Sequence, residues 1–233
     1  MIIKELKIIA IIPARGGSKG LPKKNVRLLA GKPLVARTIE SALKSKYINR
    51  VIVSTEDKGI AEISQKYKAE VIQRPKKLAA DNSDTEDTVF QVLGVLKKDN
   101  YIPDVVILLQ PTSPLREAKD IDDSLEIFLK NNHQSVVSVS NVEKPPYWCF
   151  KVTKEKFLKP VFGWKYFKLK RQDLPKLYAP NGAIYVSSLK NLFKYKSFYS
   201  KNILPYIMPA ERSVDIDKED DLKLAEFYFK NKK

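Results

Sequence analysis

Five short apolar runs, Ile8–Ile12, Val51–Val53, Val71–Ile72, Val105–Leu109 and Val136–Val139, alternate along the chain with segments of helical period. That alternation limits the fold more than any other feature. Leu34, Val35, Thr38, Ile39, Ala42 and Leu43 form one i, i+3/4, i+7 stripe; Ile60, Ile63 and Tyr67 a second; Val89, Val92, Leu93 and Leu96 a third; Ile121, Leu125, Phe128 and Leu129 a fourth. Short hydrophobic strands separated by helices of this length imply an α/β fold, with a mostly parallel sheet covered on both faces and joined by right-handed crossovers.

The rhythm breaks at Lys144-Pro145-Pro146, after which the chain is rich in aromatics and lysine without a clear period. Residues 143–180 read as an inserted β-rich arm. Its aromatics, Trp148, Phe150, Trp164, Tyr166 and Phe167, suit a dimer surface or packing back onto the main sheet. Regular structure resumes with strands at Ala183–Val186 and Tyr206–Met208 and a closing helix at Asp217–Lys230, striped by Leu222, Ala225 and Phe229. A chain of 233 residues organised this way reads as a single domain, 1–233, with the arm as its appendage.

Composition excludes several chemistries. One histidine, His133, and one cysteine, Cys149, leave no Cys/His zinc cluster, no disulfide framework, and no Ser-His-Asp triad unless His133 serves, and His133 sits in a polar Asn-Asn-His-Gln stretch that reads as a turn. Catalysis therefore rests on carboxylates, lysines, arginines and a hard metal ion. The formal charge of +16, from 43 Lys+Arg against 27 Asp+Glu, suits an anionic partner, although the lysines are scattered as in a lysine-rich proteome. With no signal peptide and no apolar run long enough for a bilayer, the expectation is a cytoplasmic protein with no membrane partner.

The first apolar run ends in Pro13-Ala14-Arg15-Gly16-Gly17-Ser18-Lys19-Gly20, followed by Lys23, Lys24 and Asn25. Glycines let backbone N–H groups approach an anion and the cations balance its charge, so the segment has the outline of a polyphosphate site at a strand's C-terminal end, where open α/β sheets bind ligands. It is neither a Walker loop, which needs Lys-Ser/Thr after its last glycine, nor a G-x-G-x-x-G dinucleotide turn.

Other polar groups gather at strand ends. Gln110-Pro111-Thr112-Ser113-Pro114-Leu115-Arg116 follows the run Val105–Leu109 and offers amide, hydroxyl and guanidinium groups stiffened by proline; it suits recognition of a sugar or base, or else is a turn capped by Ser and Thr. In Ser213-Val214-Asp215-Ile216-Asp217, strand alternation would send Asp215 and Asp217 to one side as a Mg²⁺ pair, with Val214 and Ile216 buried opposite. Asp217 also reads as the N-cap of the last helix. Arg74, the stretch Asp81 to Thr85, Arg171 and the amide-glycine pair Asn181-Gly182 before Tyr185 complete the set.

The glycine loop, Gln110 to Arg116, Asn181 to Tyr185 and Ser213 to Asp217, in this order over essentially the whole chain, resemble the CMP-N-acylneuraminate cytidylyltransferases, or CMP-sialic acid synthetases. The resemblance implies a Rossmann-like three-layer nucleotidyltransferase sheet, CTP and Mg²⁺, a nine-carbon 2-keto sugar acid as acceptor, and a homodimer whose arms reach into each other's sites. Carried over by residue, it places Arg15, Ser18, Lys19, Lys24 and Asn25 on CTP, with Lys24 near the α-phosphate. Arg74 and Thr85 fall on the cytidine side, and Gln110, Ser113 and Arg116 on the acceptor and ribose side. Asn181 and Tyr185 complete the substrate contacts, Arg171 comes from the partner subunit to bind the acid, and Asp215 and Asp217 hold the metal. Lys24, Arg15 and Asp215 are the catalytic candidates. One departure is Ala179, where some members carry arginine before Pro-Asn-Gly; the segment Glu143 to Lys170 also matches poorly.

What this implies is transfer of CMP from CTP to the anomeric hydroxyl of a sialic acid or relative, with release of pyrophosphate. Competing readings are a cytidylyltransferase for another sugar acid or a sugar phosphate, and a basic nucleic-acid-binding module, against which stands the lack of any recognised nucleic-acid motif.

Overall fold

A computed structural model describes residues 6–18, 20–80, 83–132 and 134–231; Lys19, Asp81, Asn82 and His133 lie outside the described residues. In chain order the elements are β1 (Ile8–Pro13), β2 (Leu28–Leu29), β3 (Lys32–Pro33), α1 (Leu34–Leu43), β4 (Arg50–Thr55), α2 (Lys58–Lys66), β5 (Glu70–Gln73), α3 (Thr85–Lys98), β6 (Val105–Leu108) and α4 (Ala118–Lys130). They continue as β7 (Ser135–Asn141), β8 (Phe150–Val152), β9 (Leu158–Pro160), β10 (Tyr178–Ser188), α5 (Leu189–Tyr195), β11 (Ile203–Ile207) and α6 (Glu219–Lys230).

Seven strands form one sheet in the order β11-β7-β10-β6-β1-β4-β5. All neighbouring pairs are parallel except those of β10, which runs antiparallel to both β6 and β7. Side chains of β1 alternate between two apolar layers. Ile8, Ala10 and Ile12 pack with Val35, Ile39, Ile60, Ile121, Leu125 and Phe128 of α1, α2 and α4, while Ile9 and Ile11 face Val89, Val92, Leu93 and Leu96 of α3 and Leu192 of α5. A strand buried on both sides must be apolar at every position, which is why its sequence shows no polar alternation. The expected stripes of α1 to α4 face these layers, except that Leu34 packs in the third cluster described next and Leu43 is 46 % exposed at the end of α1.

A third apolar cluster lies outside the two main layers. Leu21, Leu29, Leu34, Leu115, Val214, Ile216, Leu222 and Ala225 meet there, so the segments after β1, after β6 and before α6 converge on the inner face of α6.

Three expectations need correction. Ser213 to Asp217 is not a strand of the sheet; it is an extended segment that follows a turn closed by Ser213 N–H on the Ala210 carbonyl at 3.0 Å and is tied to the loop after β6 by Ile216 N–H on the Thr112 carbonyl at 2.8 Å. The N-cap of α6 falls on Lys218 rather than Asp217, because the Asp221 carboxylate reaches back and accepts from both backbone N–H groups, each at 2.9 Å. The arm is less β-rich than its composition suggests. It contains one hairpin, β8–β9, and short 3₁₀ turns at Pro146–Trp148, Trp164–Lys168 and Arg171–Asp173, with Tyr147, Phe150, Phe162, Trp164, Tyr166 and Phe167 packed ring against ring.

Beneath the sheet end, fully buried Asp120 at the start of α4 ties three segments together. It accepts from Arg212 Nε and Nη2 at 3.0 and 2.9 Å, from the Tyr206 hydroxyl at 2.8 Å and from the Glu117 N–H at 2.9 Å. Hydrogen bonding to Asp120 raises the pKa of Arg212. Removing one partner of such a buried pair strands the others, at a cost of about 3–5 kcal/mol. Asp120→Ala and Arg212→Ala are therefore each expected to lower folding stability by up to about that amount in a urea melt.

Candidate active site

β1 and β6 are parallel neighbours in the register Ile8↔Val105 to Ile11↔Leu108, so the loops that follow them leave the sheet side by side. Between those loops, the N-terminus of α3 and the segment before α6 lies a cavity of about 690 Å³.

The glycine loop is braced from below. Ala14 N–H donates to the Ser54 carbonyl at 3.0 Å and Gly16 N–H to Glu56 Oε1 at 2.7 Å. A Cβ on Gly16 would lie 2.7 Å from Asp57 Oδ2, so only glycine fits against this turn. Asp57 is itself fixed, since its side chain caps α2 by accepting from Ile60 N–H at 2.8 Å. Within the loop, Ser18 Oγ donates to the Leu21 carbonyl at 2.7 Å, and buried Asn25 donates its amide to the Arg15 carbonyl at 2.8 Å, closing the turn on itself. Arg15, Ser18, Lys24 and Asn25 all line the cavity.

Across from the loop stand the carboxylates. Val214 and Ile216 are buried, so alternation turns Asp215 and Asp217 outward into the cavity, as the sequence suggests. Lys24 Nζ bonds Asp217 Oδ1 at 2.8 Å. Asp215 is exposed and lines the cavity. Desolvation by the cavity walls raises its pKa, and the charges of Asp217 and Asp221 push the same way, against the hydrogen bond from Thr112 and the charge of Lys24. A Cβ on Gly20 would lie 2.5 Å from the Asp217 carbonyl oxygen, so the two walls touch backbone to backbone.

Arg74 and Thr85 form the third side. Arg74 is buried, donating Nη2 to the Ser54 carbonyl at 2.7 Å and Nε to Ser54 Oγ at 3.3 Å; burial lowers its pKa, with Glu56 opposing and Arg15 assisting that shift. Thr85 opens the 14-residue helix α3, whose first turn also carries Glu86 and Asp87.

Gln110 lines the cavity, but Ser113, Arg116, Asn181, Tyr185 and Arg171 do not. Ser113 Oγ donates to the Asn181 carbonyl at 3.2 Å and is fully buried. Asn181 Oδ1 accepts from Ser138 Oγ at 2.6 Å and its Nδ2 donates to Ser213 Oγ at 2.9 Å, so its amide is consumed in joining β7, β10 and the segment before Val214. Arg116 is buried. Tyr185 packs beside Phe198 and Tyr199, and burial raises its pKa. Arg171 sits at the root of the arm, donating to the Glu143 carbonyl, on a second cavity of about 340 Å³. Sequence reasoning missed Glu56 and Asp57, although they follow the C-terminal end of β4, where the same strand-end rule applies, and Thr88, one turn after Thr85 on α3.

A mostly parallel α/β sheet with a cavity at its strand ends, cationic on one wall and acidic on the other, suits a nucleotidyltransferase, and the relatives of this chain carry that activity in their names. Residues 9–223 match the family described as cytidylyltransferase, and the chain belongs to that family. It is 40 % identical over 95 % of its length to a CMP-N,N'-diacetyllegionaminic acid synthase of Legionella pneumophila, also covering 95 % of that protein. It is 37 % identical over 94 % of its length to an N-acylneuraminate cytidylyltransferase of Escherichia coli O18:K1:H7, of which it spans 51 %. Among solved structures, a CMP:2-keto-3-deoxy-manno-octonic acid synthetase complexed with CTP shares the fold with a TM-score of 0.70 at 18 % identity, over 97 % of this chain and 100 % of that one.

The contrast between two loop glycines tests the packing of the walls. Gly20→Ala forces the backbone of Asp217 to shift and is expected to cost about 1–3 kcal/mol in a urea melt. Gly17→Ala, whose Cβ would meet nothing within 4 Å, should stay within about 0.5 kcal/mol of the parent.

Proposed function

We propose that the protein transfers CMP from CTP to the anomeric hydroxyl of a nine-carbon 2-keto sugar acid, with release of pyrophosphate, and that the acceptor is of the legionaminate kind. The observation that supports this most is the convergence of Arg15, Lys24 and Arg74 with Asp215 and Asp217 around one cavity at the ends of β1 and β6. In the reaction the anomeric hydroxyl gives up its proton to water, its oxygen forms a bond to the α-phosphorus, and the bond from that phosphorus to the β-phosphate oxygen breaks. Negative charge grows on the phosphoryl oxygens and on the leaving pyrophosphate, and fixed cations lower the barrier to that change. Arg15 and Lys24 stand on the triphosphate side; Arg74 and the start of α3 hold the cytidine end. Gln110 faces the acceptor. For the acceptor's identity, the support is the name of the Legionella relative.

Mg²⁺ fits the acidic wall. Asp215 and Asp217 supply hard oxygen donors, and Lys24 occupies only Oδ1 of Asp217. Among the described residues no group of three or more His, Cys, Asp or Glu could hold a metal, so these two carboxylates suit an ion whose remaining ligands are triphosphate oxygens and water. When bound there, Mg²⁺ would supply charge neutralisation for the triphosphate.

The arm is the proposed homodimer surface. It exposes Val152, Phe157, Leu158 and Trp164, at 69, 72, 60 and 64 %, and it carries Arg171, the proposed contact to the acid in the partner's site. No helix among the described residues is long and apolar enough to cross a membrane, and we propose a cytoplasmic location.

Pyrophosphate release is expected only with CTP, Mg²⁺ and a nine-carbon keto acid together; equal release with UTP, or none with a panel of legionaminate, neuraminate and pseudaminate, would overturn this reading. Asp215→Ala should reduce kcat by about 10²–10³-fold with a weakened Mg²⁺ dependence, and Arg171→Ala should mainly raise the KM for the acid. Light scattering of the active protein should give twice the 26.7 kDa chain mass.

A further inference from the structure

Arg116 is fully enclosed, yet its guanidinium is only partly satisfied. Nη1 donates to the Ala183 carbonyl at 2.7 Å and to the Gln110 carbonyl at 3.3 Å, while Nε and Nη2 have no hydrogen-bond partner among the described residues. The nearby carboxylate, Asp120, is already occupied by Arg212 and Tyr206. Burial lowers the pKa of Arg116 to about 9, which still leaves it a cation at neutral pH. A buried cation with two unpaired nitrogens costs stability that an apolar side chain of similar length would not. Departures of this kind are expected where local geometry serves a site.

The two carbonyls it joins explain what that geometry is. The β6–β10 ladder runs from Val105↔Ser188 to Leu108↔Tyr185 and stops. Continued for two more residues it would set Gln110 opposite Ala183, and there the Arg116 guanidinium spans the carbonyls in place of backbone pairing. Immediately beyond, at φ +74°, Gly182 is so close to the site that a Cβ would lie 2.8 Å from Gln110 Oε1 and 3.3 Å from Asp215 Oδ2.

We propose that Arg116 is a positioning residue, which extends the β6–β10 pairing beyond its last backbone bond and so fixes the Gln110 side chain relative to Asp215 across Gly182. The inference rests on the reaction proposed above only for its kinetic consequence; the clamp itself is a property of the fold. Arg116 touches no substrate. Its loss misplaces Gln110 on the acceptor side and leaves the triphosphate loop as it was.

The test compares Arg116→Met and Arg116→Lys in the full chain, by amide hydrogen exchange and by steady-state kinetics with CTP, Mg²⁺ and the acid. In the Met variant, amides of residues 110–116 and 180–184 should exchange at least about 10-fold faster while those of β1 and β4 do not change. Its kcat should fall by about 10²-fold, with the KM for CTP within about 3-fold of the parent. The Lys variant should recover at least about 5-fold of the lost kcat, because an ammonium still donates to carbonyls. Unchanged exchange in residues 110–116 and 180–184 would overturn the proposal whether or not the parent turns over CTP, so a failure of the reaction reading is seen separately. A folded Met variant with kcat within about 2-fold of the parent, or Lys and Met equally impaired, would overturn it as well. Should the Met variant not fold, Arg116→Gln decides by the same exchange measurement: faster exchange in residues 110–116 and 180–184 with β1 and β4 unchanged supports the clamp, and unchanged exchange there overturns it.

Discussion

The burial of Val214 and Ile216 is the constraint on which the cavity depends. The segment that carries them lies outside the sheet, and among the described residues its one backbone bond to a distant part of the chain runs from Ile216 to Thr112. Its position is therefore set by side chains packing with Leu21, Leu115 and Leu222. Burying an aliphatic side chain of this size contributes about 1.5–3 kcal/mol, so the two together outweigh the net worth of about 1 kcal/mol of that hydrogen bond. Because Leu21 follows the glycine loop and Leu115 follows β6, the same cluster that seats the carboxylates also draws in the two loops that face them. Alternation then does the rest, turning Asp215 and Asp217 away from the apolar side.

The antiparallel strand β10 gives the opposite wall its precision through polar contacts. Its register with β7 shifts between Pro180 and Tyr185, and the displaced stretch holds Asn181, Gly182 and Ala183. Asn181 points inward, where Ser138, Ser213 and the Ala183 N–H, at 3.2 Å from Oδ1, use its amide. Gly182 turns its bare Cα toward the cavity. Such bulges re-aim side chains next to functional sites, and a satisfied buried amide makes the irregular geometry unique.

How far the sequence could be read depended on whether the deciding interaction was local. Strand and helix periods around β1 and α3 are local, and the outward pairing of Asp215 and Asp217 needs only a two-residue repeat, so these were legible. The cap of α6 was not, since Asp217 and Lys218 are both held by Asp221 and the residue in the cap position depends on where the chain turns. Ser113, Arg116 and Asn181 have the residue types of ligand contacts, but residue type carries no direction. Their partners are backbone and side-chain groups on β7 and β10, far along the chain. The arm's aromatics gave no period because they stack on each other in short turns rather than along an element.

The approach of Gly20 to the Asp217 carbonyl joins an early segment to one of the last. On the ribosome, the cationic loop emerges long before Asp215 and Asp217. The strands from β1 to β6 are all made in that interval, but the cavity has no acidic wall until the segment beyond Met208 is released. The cavity is thus closed in one late step rather than built up strand by strand.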